Sequence, residues 1–284
     1  MTTGIIGKPI KHSLSPILHE FWMKEHKIES AYNIYEIDKN NIAFFLKDLK
    51  KKNINGLNVT IPYKSEVIKF LDHVEKNALD LGAVNTIKVG DDNKLYGYNT
   101  DVYGFMEHLN ISAPFWKKKK GDITIIGAGG ASRAVIWSFL KENKMNIKLF
   151  NRSKDRGLKL IDDMKKLFPA SNIVLCSDMS EALHNCSLLV NCTSLGMKGQ
   201  PRLDINLEQM NKNSIVYDII YSPLITELLH KAKELNFTTI DGLGMLINQA
   251  VPAFEMWHNT KVTVSDALRP VSYTHLTLPT KRIV

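Results

Sequence analysis

The apolar positions along the chain fall into two regions of different regularity. From residue 1 to about 105, the runs "GIIG", "SAYNIYEI", "INGLNVTI" and "AVNTIKV" read as strands, and "PILHEFWMKEH" and "IAFFLKDLKKK" between them carry apolar residues at helical spacing. "VGDDNKLYGYNTD" reads as a hairpin turning around Asp91 to Asn93, with a short strand leading into Asn99. After about residue 120 the alternation restarts more cleanly. "DITIIGAGG" is a strand and glycine turn, 131–143 a helix, "NIKLFNRS" a second strand, 154–167 a second helix and "NIVLC" a third strand. "CSLLVNCTS" and "SIVYDIIY" supply two more strands and "LITELLHKAKEL" another helix. Both regions therefore predict an α/β fold, and the second has the doubly wound order of a nucleotide-binding domain. The amphipathic "MLINQAVPAFEMWHN" closes the pattern, and Pro252 is expected to kink that helix or to sit close to its start. "VSYTHLTLPTKRIV" follows neither period and reads as a non-native or disordered tail.

Composition narrows this picture without changing it. With 284 residues, 44% hydrophobic and 23% charged, the chain has the makeup of a globular protein of one large or two ordinary domains. No apolar run approaches the roughly 18 residues that span a bilayer. "MTTGIIGKPI" also lacks the features of a signal peptide, so a cytoplasmic protein with no membrane partner is expected. The net charge of +8 is scattered except for "WKKKKGD", residues 116–122, which directly precedes an apolar strand and reads as a solvated linker. Nucleic acid is not expected as a partner, whereas a small anionic ligand suits the balance. Cys176, Cys186 and Cys192 lack metal or redox spacing and read as buried thiols, with no metal site.

The chemistry-bearing motifs sit at the ends of the expected strands. "GAGGASRA", residues 127–134, follows an apolar strand and opens a helix, which is the setting a dinucleotide fingerprint requires. Gly127 permits the tight turn and Gly129 the approach of a pyrophosphate; the third fingerprint position is Ser132, small but neither glycine nor alanine. At the end of the next strand, where an NAD site places an acid, "FNRSKDR" has Asn151 followed by Arg152 and Arg156. A guanidinium there pairs with a 2′-phosphate, which favours NADP; as plain solvent-facing residues the arginines would say nothing.

In the first region, Ser15 and Pro16 read as a helix cap and first helical residue, and Ser13 would face the same way in an extended segment. Two hydroxyls beside a helix N-terminus suit an anion. Asn58 and Thr60 share a strand face, and Pro62 ends that strand so that Lys64 starts the next helix. Asn85 and Thr86 lie in a strand, and Asn99, Thr100 and Asp101 precede a helix at 102–109 that Asp101 could simply cap. Many neutral donors with one lysine and one aspartate suit a polyhydroxylated ligand.

"SLSP", "NVTIPYK", "GAVNT", "NTD", "GAGGASRA", "NRS", "YDIIYSP" and "GMLINQA" occur in an order that resembles the shikimate dehydrogenases, up to about residue 270. The resemblance implies an N-terminal α/β substrate domain, residues 1–105 with 242–270, to which the closing helix returns. A Rossmann-type NADP-binding domain, residues 106–241, would lie between, with the active site in the cleft and 271–284 outside the fold. It implies NADP-dependent reversible reduction of 3-dehydroshikimate to shikimate in aromatic amino-acid biosynthesis. By motif position, Lys64 and Asp101 would be catalytic. Ser13 and Ser15 would hold the ring carboxylate with help from Tyr221, and Asn58, Thr60, Asn85, Asp101 and Gln249 would surround the hydroxyls. Gly127, Ala128, Gly129, Gly130, Ala131, Asn151, Arg152, Ser153, Arg156, Thr193, Ile219, Gly242 and Met245 would contact the cofactor. An ammonium at Lys64 would stabilise the charge that hydride transfer builds on a ketone oxygen and supply the proton, and a neighbouring carboxylate favours that ammonium form. A quinate or dual quinate/shikimate dehydrogenase is the nearest alternative, a non-catalytic NADP-binding sensor a remoter one, and a homodimer stays open.

Overall fold

The computed structural model describes residues 2–269 apart from Lys11, His12, Lys50 and Asp266; the tail expected at 271–284 lies outside the described residues. The described residues within Met1–Asp101 and from Ile247 onward form one compact unit, and Val102–Leu246 form another. The chain leaves the first unit inside helix α4 and re-enters it inside helix α9, whose bounds are given below.

The first unit is built on strands β1 (Thr2–Gly7), β2 (Ala31–Glu36), β3 (Ile54–Val59), β4 (His73–Val74), β5 (Thr86–Val89) and β6 (Leu95–Tyr98), ordered β2-β1-β3-β5-β6-β4. β1 pairs in parallel with β2 and β3, whereas β5 runs antiparallel to β3 and to β6. The β5–β6 hairpin turns where the sequence indicates, with Asn93 at φ 66°, a left-handed conformation that asparagine tolerates better than most residues. Helices α1 (Ser15–Glu25), α2 (Ile42–Lys47), α3 (Lys76–Leu81) and α4 (Asp101–Ser112) complete this stretch. α2 is shorter than its apolar pattern suggests, because the chain turns after Lys47 and passes through Asn53 at φ 56°. Ile6, Leu57, Val59 and Ile87 from the strands pack with Ile42 and Leu46 of α2 to form the core.

The second unit holds β7 (Asp122–Ile126), β8 (Asn146–Phe150), β9 (Asn172–Leu175), β10 (Cys186–Asn191), β11 (Ile215–Asp218) and β12 (Thr238–Ile240). They pair entirely in parallel in the order β12-β11-β10-β7-β8-β9. That is the doubly wound arrangement, with its switch point between β7 and β10. Helices α5 (Gly130–Lys141), α6 (Lys154–Leu167), α7 (Met179–Leu183) and α8 (Glu227–Glu234) are the connections that parallel strands require. α9 (Leu243–His258) continues past Pro252, which sits well inside the helix and not close to its start. Its C-terminal half belongs to the first unit, where Trp257 donates to the Ile87 carbonyl at 3.0 Å. A Cβ on Gly56 would come within 2.0 Å of that indole, so glycine makes room for it.

Lys117, Lys118 and Lys120 are exposed, as expected of a solvated linker, but the segment is also held in place. Trp116–Lys118 form a short 3₁₀ turn, Lys117 pairs with Glu142, and Lys119 donates to the Asn213 carbonyl. The three cysteines are buried free thiols, and burial pushes Cys176 up to about 11 and Cys186 up to about 12. Among the described residues no His, Cys, Asp or Glu group could hold a metal ion, and no helix is long and apolar enough to cross a membrane.

Candidate active site

The cap-like bond expected of Ser15 is made by Ser13. Leu14 sits at φ −85°, ψ −6°, so residues 13 to 15 are not extended, and α1 begins at Ser15 with Pro16 in its first turn. Ser15 makes no capping bond. Instead its backbone N–H donates to Ser13 Oγ at 3.2 Å, which gives the cap-like bond to Ser13 and leaves Ser15 buried. Lys64 also departs from expectation: it lies in a turn after Pro62, ahead of a 3₁₀ helix at Val67–Phe70, and not at a helix start. Asp101 is itself the first residue of α4, which extends to Ser112.

That turn and that helix start bring the two charges together. Lys64 Nζ lies 2.6 Å from Asp101 Oδ2, the side chains being 30% and 20% exposed, so the pair is sheltered and still open to a ligand. Asp101 Oδ1 accepts from Asn85 Nδ2 at 2.9 Å. Asn85 is the hub of this cluster: its amide nitrogen also faces Thr100 Oγ1 at 3.0 Å and Gln249 Oε1 at 3.4 Å, and its Oδ1 accepts from the Thr100 N–H at 2.8 Å. Asn85 stands just before β5, opposite the end of β3, where the Val59 N–H donates to its carbonyl at 2.8 Å. Thr60 follows β3 directly, its methyl packed where a Cβ on Gly7 would come within 2.4 Å.

Sequence reasoning missed two members of this neighbourhood. The Tyr32 hydroxyl donates to Asn58 Oδ1 at 2.7 Å, which turns the Asn58 amide nitrogen toward Thr86 Oγ1 at 3.3 Å. Burial holds the Tyr32 phenol well above its ordinary range, so it stays a donor, with the Ser15 side chain pulling the other way. His19 stacks on Tyr32 at 4.4 Å with the rings 12° apart, and both its ring nitrogens lack a hydrogen-bond partner among the described residues. Burial pushes His19 down to about 3, and it acts as a neutral aromatic wall. A histidine within the apolar "PILHEFW" was the available signal for its burial.

In the second unit the glycine turn fits an anion. Gly127 sits at φ 106°, a conformation glycine adopts without strain, and a Cβ on Gly129 or Gly130 would meet nothing within 4 Å. Open space therefore lies before the N-terminus of α5. Ser132 closes the turn from inside: its hydroxyl, fully buried, accepts from the Gly129 N–H at 3.3 Å. A serine at the third fingerprint position thus does local work that glycine or alanine could not. Asn151 follows β8 and donates to the Ser153 carbonyl at 2.7 Å. Arg152 and Arg156 are exposed and have no ion-pair partner among the described residues, whereas Arg133 is paired with Asp163. This donor set matches a 2′-phosphorylated dinucleotide: backbone N–H groups for the pyrophosphate and two unpaired guanidiniums where the ribose would lie.

Ser13, Ser15, Asn58, Thr60, Lys64, Asn85, Asp101 and Gln249 all belong to the first unit. Tyr221 belongs to the second, together with Gly127 to Ala131, Asn151 to Arg156, Thr193, Ile219, Gly242 and Met245.

The chain is similar to proteins of one known family along nearly its whole length. The family model for the shikimate dehydrogenase substrate binding domain matches residues 5–87, that for shikimate / quinate 5-dehydrogenase matches 112–246, and that for the shikimate 5′-dehydrogenase C-terminal domain matches 242–265. The chain is 41% identical over 266 residues to the shikimate dehydrogenase (NADP(+)) of Paramagnetospirillum magneticum, covering 94% of this chain and 95% of that one. It is similar to the crystal structure of shikimate dehydrogenase from Aquifex aeolicus, with TM-score 0.82, 35% identity, and 98% and 97% of the two chains covered. It is also similar to quinate dehydrogenase from Corynebacterium glutamicum in complex with NAD, with TM-score 0.88, 28% identity, and 96% and 99% covered.

Proposed function

The chain belongs to the shikimate dehydrogenase family, and we propose that it is a cytoplasmic enzyme that reduces 3-dehydroshikimate reversibly to shikimate with NADPH. In this reading the first unit is the substrate domain and the second the NADP domain. The observation that carries it is the Lys64–Asp101 pair at 2.6 Å, set among neutral donors and acceptors that suit a ring carrying several hydroxyls. When bound, NADPH supplies the hydride. Lys64 then stabilises the negative charge growing on the ketone oxygen and delivers the proton, while Asp101 holds the ammonium in place and accepts from a ring hydroxyl. Asn85 fixes Asp101 from its other oxygen, and Gln249, Asn58 and Thr60 complete the hydroxyl contacts. Ser13 and Ser15 hold the ring carboxylate.

The unpaired Arg152 and Arg156, with Asn151 where an acid would select NAD, support NADP and the shikimate reading over a quinate dehydrogenase using NAD. The test is oxidation of NADPH in the presence of 3-dehydroshikimate, run on wild type and on Lys64→Ala, with quinate and NAD as the competing pair. Loss of general acid catalysis should lower kcat by about 10²- to 10⁴-fold in the variant. Full activity in Lys64→Ala removes that residue from catalysis; a wild-type preference for quinate with NAD overturns the substrate assignment. Binding of NADPH without its oxidation would make the protein a sensor.

A further inference from the structure

Asn191 and Asp218 are the last residues of β10 and β11 and face each other in register at the carboxyl edge of the second sheet. Neither is exposed at all. Asp218 Oδ1 accepts from Asn191 Nδ2 at 3.0 Å and from the Ile220 N–H at 3.1 Å, and Oδ2 accepts from the Thr226 hydroxyl at 2.7 Å. The Asn191 amide is oriented by this contact, so its Oδ1 turns toward Thr193, accepting from the N–H at 3.0 Å and from the hydroxyl at 2.7 Å. Thr193 Oγ1 accepts in turn from the Leu195 N–H at 3.1 Å. The Thr193 hydroxyl is thus engaged inside the protein, and its methyl is what faces the glycine turn, 2.9 Å from where a Cβ on Gly127 would stand.

The second branch runs through Ile220. Its N–H is held by Asp218 and its carbonyl accepts from the Gly242 N–H at 3.0 Å. Gly242 approaches the chain here so closely that a Cβ would lie 2.0 Å from the Ile219 carbonyl oxygen. One carboxylate therefore ties together the 193 loop, the 219 segment and Gly242, and through Thr193 it reaches the glycine turn. Burial pushes Asp218 up to about 6 against the pull of three neutral donors, so the charge costs stability where it stands.

We propose that Asp218 is a positioning residue, which acts through Asn191 and Ile220 to hold the Thr193 and Ile219 segments in the conformation that receives the cofactor. The proposal rests on the assignment of those segments to NADP in the preceding subsection. It is tested by fluorescence titration of NADPH, and separately of shikimate, against wild type, Asp218→Ala, Asp218→Asn and Asn191→Ala. Asp218→Ala should weaken NADPH binding by about tenfold or more while shikimate affinity stays within about twofold, a split that general loosening of the fold would not produce. Asp218→Asn keeps an acceptor in the Oδ1 position and should restore NADPH affinity to within about threefold of wild type. Asn191→Ala, which leaves Asp218 its other two donors, should lose NADPH affinity as Asp218→Ala does, and it decides the matter if the latter does not fold. Wild-type NADPH affinity in Asn191→Ala or Asp218→Ala, or an equal loss for both ligands, overturns the proposal. Failure of wild type itself to bind NADPH would instead overturn the cofactor reading, and this one with it.

Discussion

Each unit contains an aspartate bonded to an asparagine that is in turn bonded to a threonine: Asp101–Asn85–Thr100 in the first, Asp218–Asn191–Thr193 in the second. The chemistry of the two triplets is the same up to that point. Asp101 then meets a cation at 2.6 Å and keeps a fifth of its side chain exposed, whereas Asp218 meets neutral donors and is sealed. A carboxylate with a mobile charged partner and access to solvent can exchange its contacts for those of a ligand. One whose acceptor positions are all taken by backbone and short side chains can only hold them still. The difference separates a group suited to reaction from one suited to geometry, without reference to residue type.

The sharpest way to break this distinction is to make the same substitution at both places. Asp101→Asn removes the charge that holds Lys64, and kcat should fall by about 10²-fold or more with little change in thermal midpoint. Asp218→Asn should leave kcat within about threefold of wild type, because its geometric role survives the loss of charge. Steady-state kinetics and thermal melts on the two variants are sufficient. Equal losses of kcat would mean that the two triplets do the same job.

Only one of these two aspartates was legible in the sequence. Asp101 stands in "NTD", after a short strand and among other polar residues, where a carboxylate invites a functional reading. Asp218 stands inside "SIVYDIIY", where the family resemblance singles out only its neighbours Ile219 and Tyr221. A lone carboxylate in an otherwise apolar buried strand is itself a signal, since such a charge must find partners on folding. The folds differ in the same way. The longer elements of the second unit were readable because its central parallel strands are continuous apolar runs, and α6 begins and ends where its period does, whereas the five-residue α7 and the three-residue β12 left no pattern to read. In the first unit a two-residue strand, β4, and a six-residue helix, α3, are too short to show a period. They exist through the tertiary contacts around them. Lys64 reads as a helix start for the same reason: the turn that holds it carries no periodic pattern.

Protonation offers a second separation. Burial raises Asp218 from its ordinary 3.8 to about 6, so between these values the folded chain keeps a proton that the unfolded chain has released. Its contribution to stability is complete below about pH 4 and is lost as pH rises through about 6, by an amount on the order of 3 kcal/mol. His19 works in the opposite sense. It is lowered from 6.5 to about 3, so its contribution is present above about pH 6.5 and is lost as pH falls toward 3. The wild-type curve partly conceals both, and single variants should expose them in urea unfolding at a series of pH values. Asp218→Asn should gain on wild type between pH 4 and 6.5, and His19→Phe should gain on it as pH falls through the same range. Parallel curves for Asp218→Asn and wild type would mean that the Asp218 carboxylate is already ionised at pH 4.

The smallest effect concerns Ser13, where the open cluster of the first unit meets a plain structural duty. Its Oγ accepts the Ser15 N–H at 3.2 Å, so Ser13→Ala should cost about 0.5–1 kcal/mol of folding free energy. Ser13→Asp keeps an acceptor at the start of α1 and should recover that stability. Toward a ligand the order reverses: if Ser13 faces the carboxylate of shikimate, an anion in its place repels the substrate, and KM should rise in the order Ser, Ala, Asp. Stability and KM therefore move apart along one series, as they cannot for a residue that only caps a helix. Should Ser13→Asp bind shikimate no worse than Ser13→Ala, the carboxylate does not lie beside Ser13, and the hydroxyl serves only to hold the start of α1.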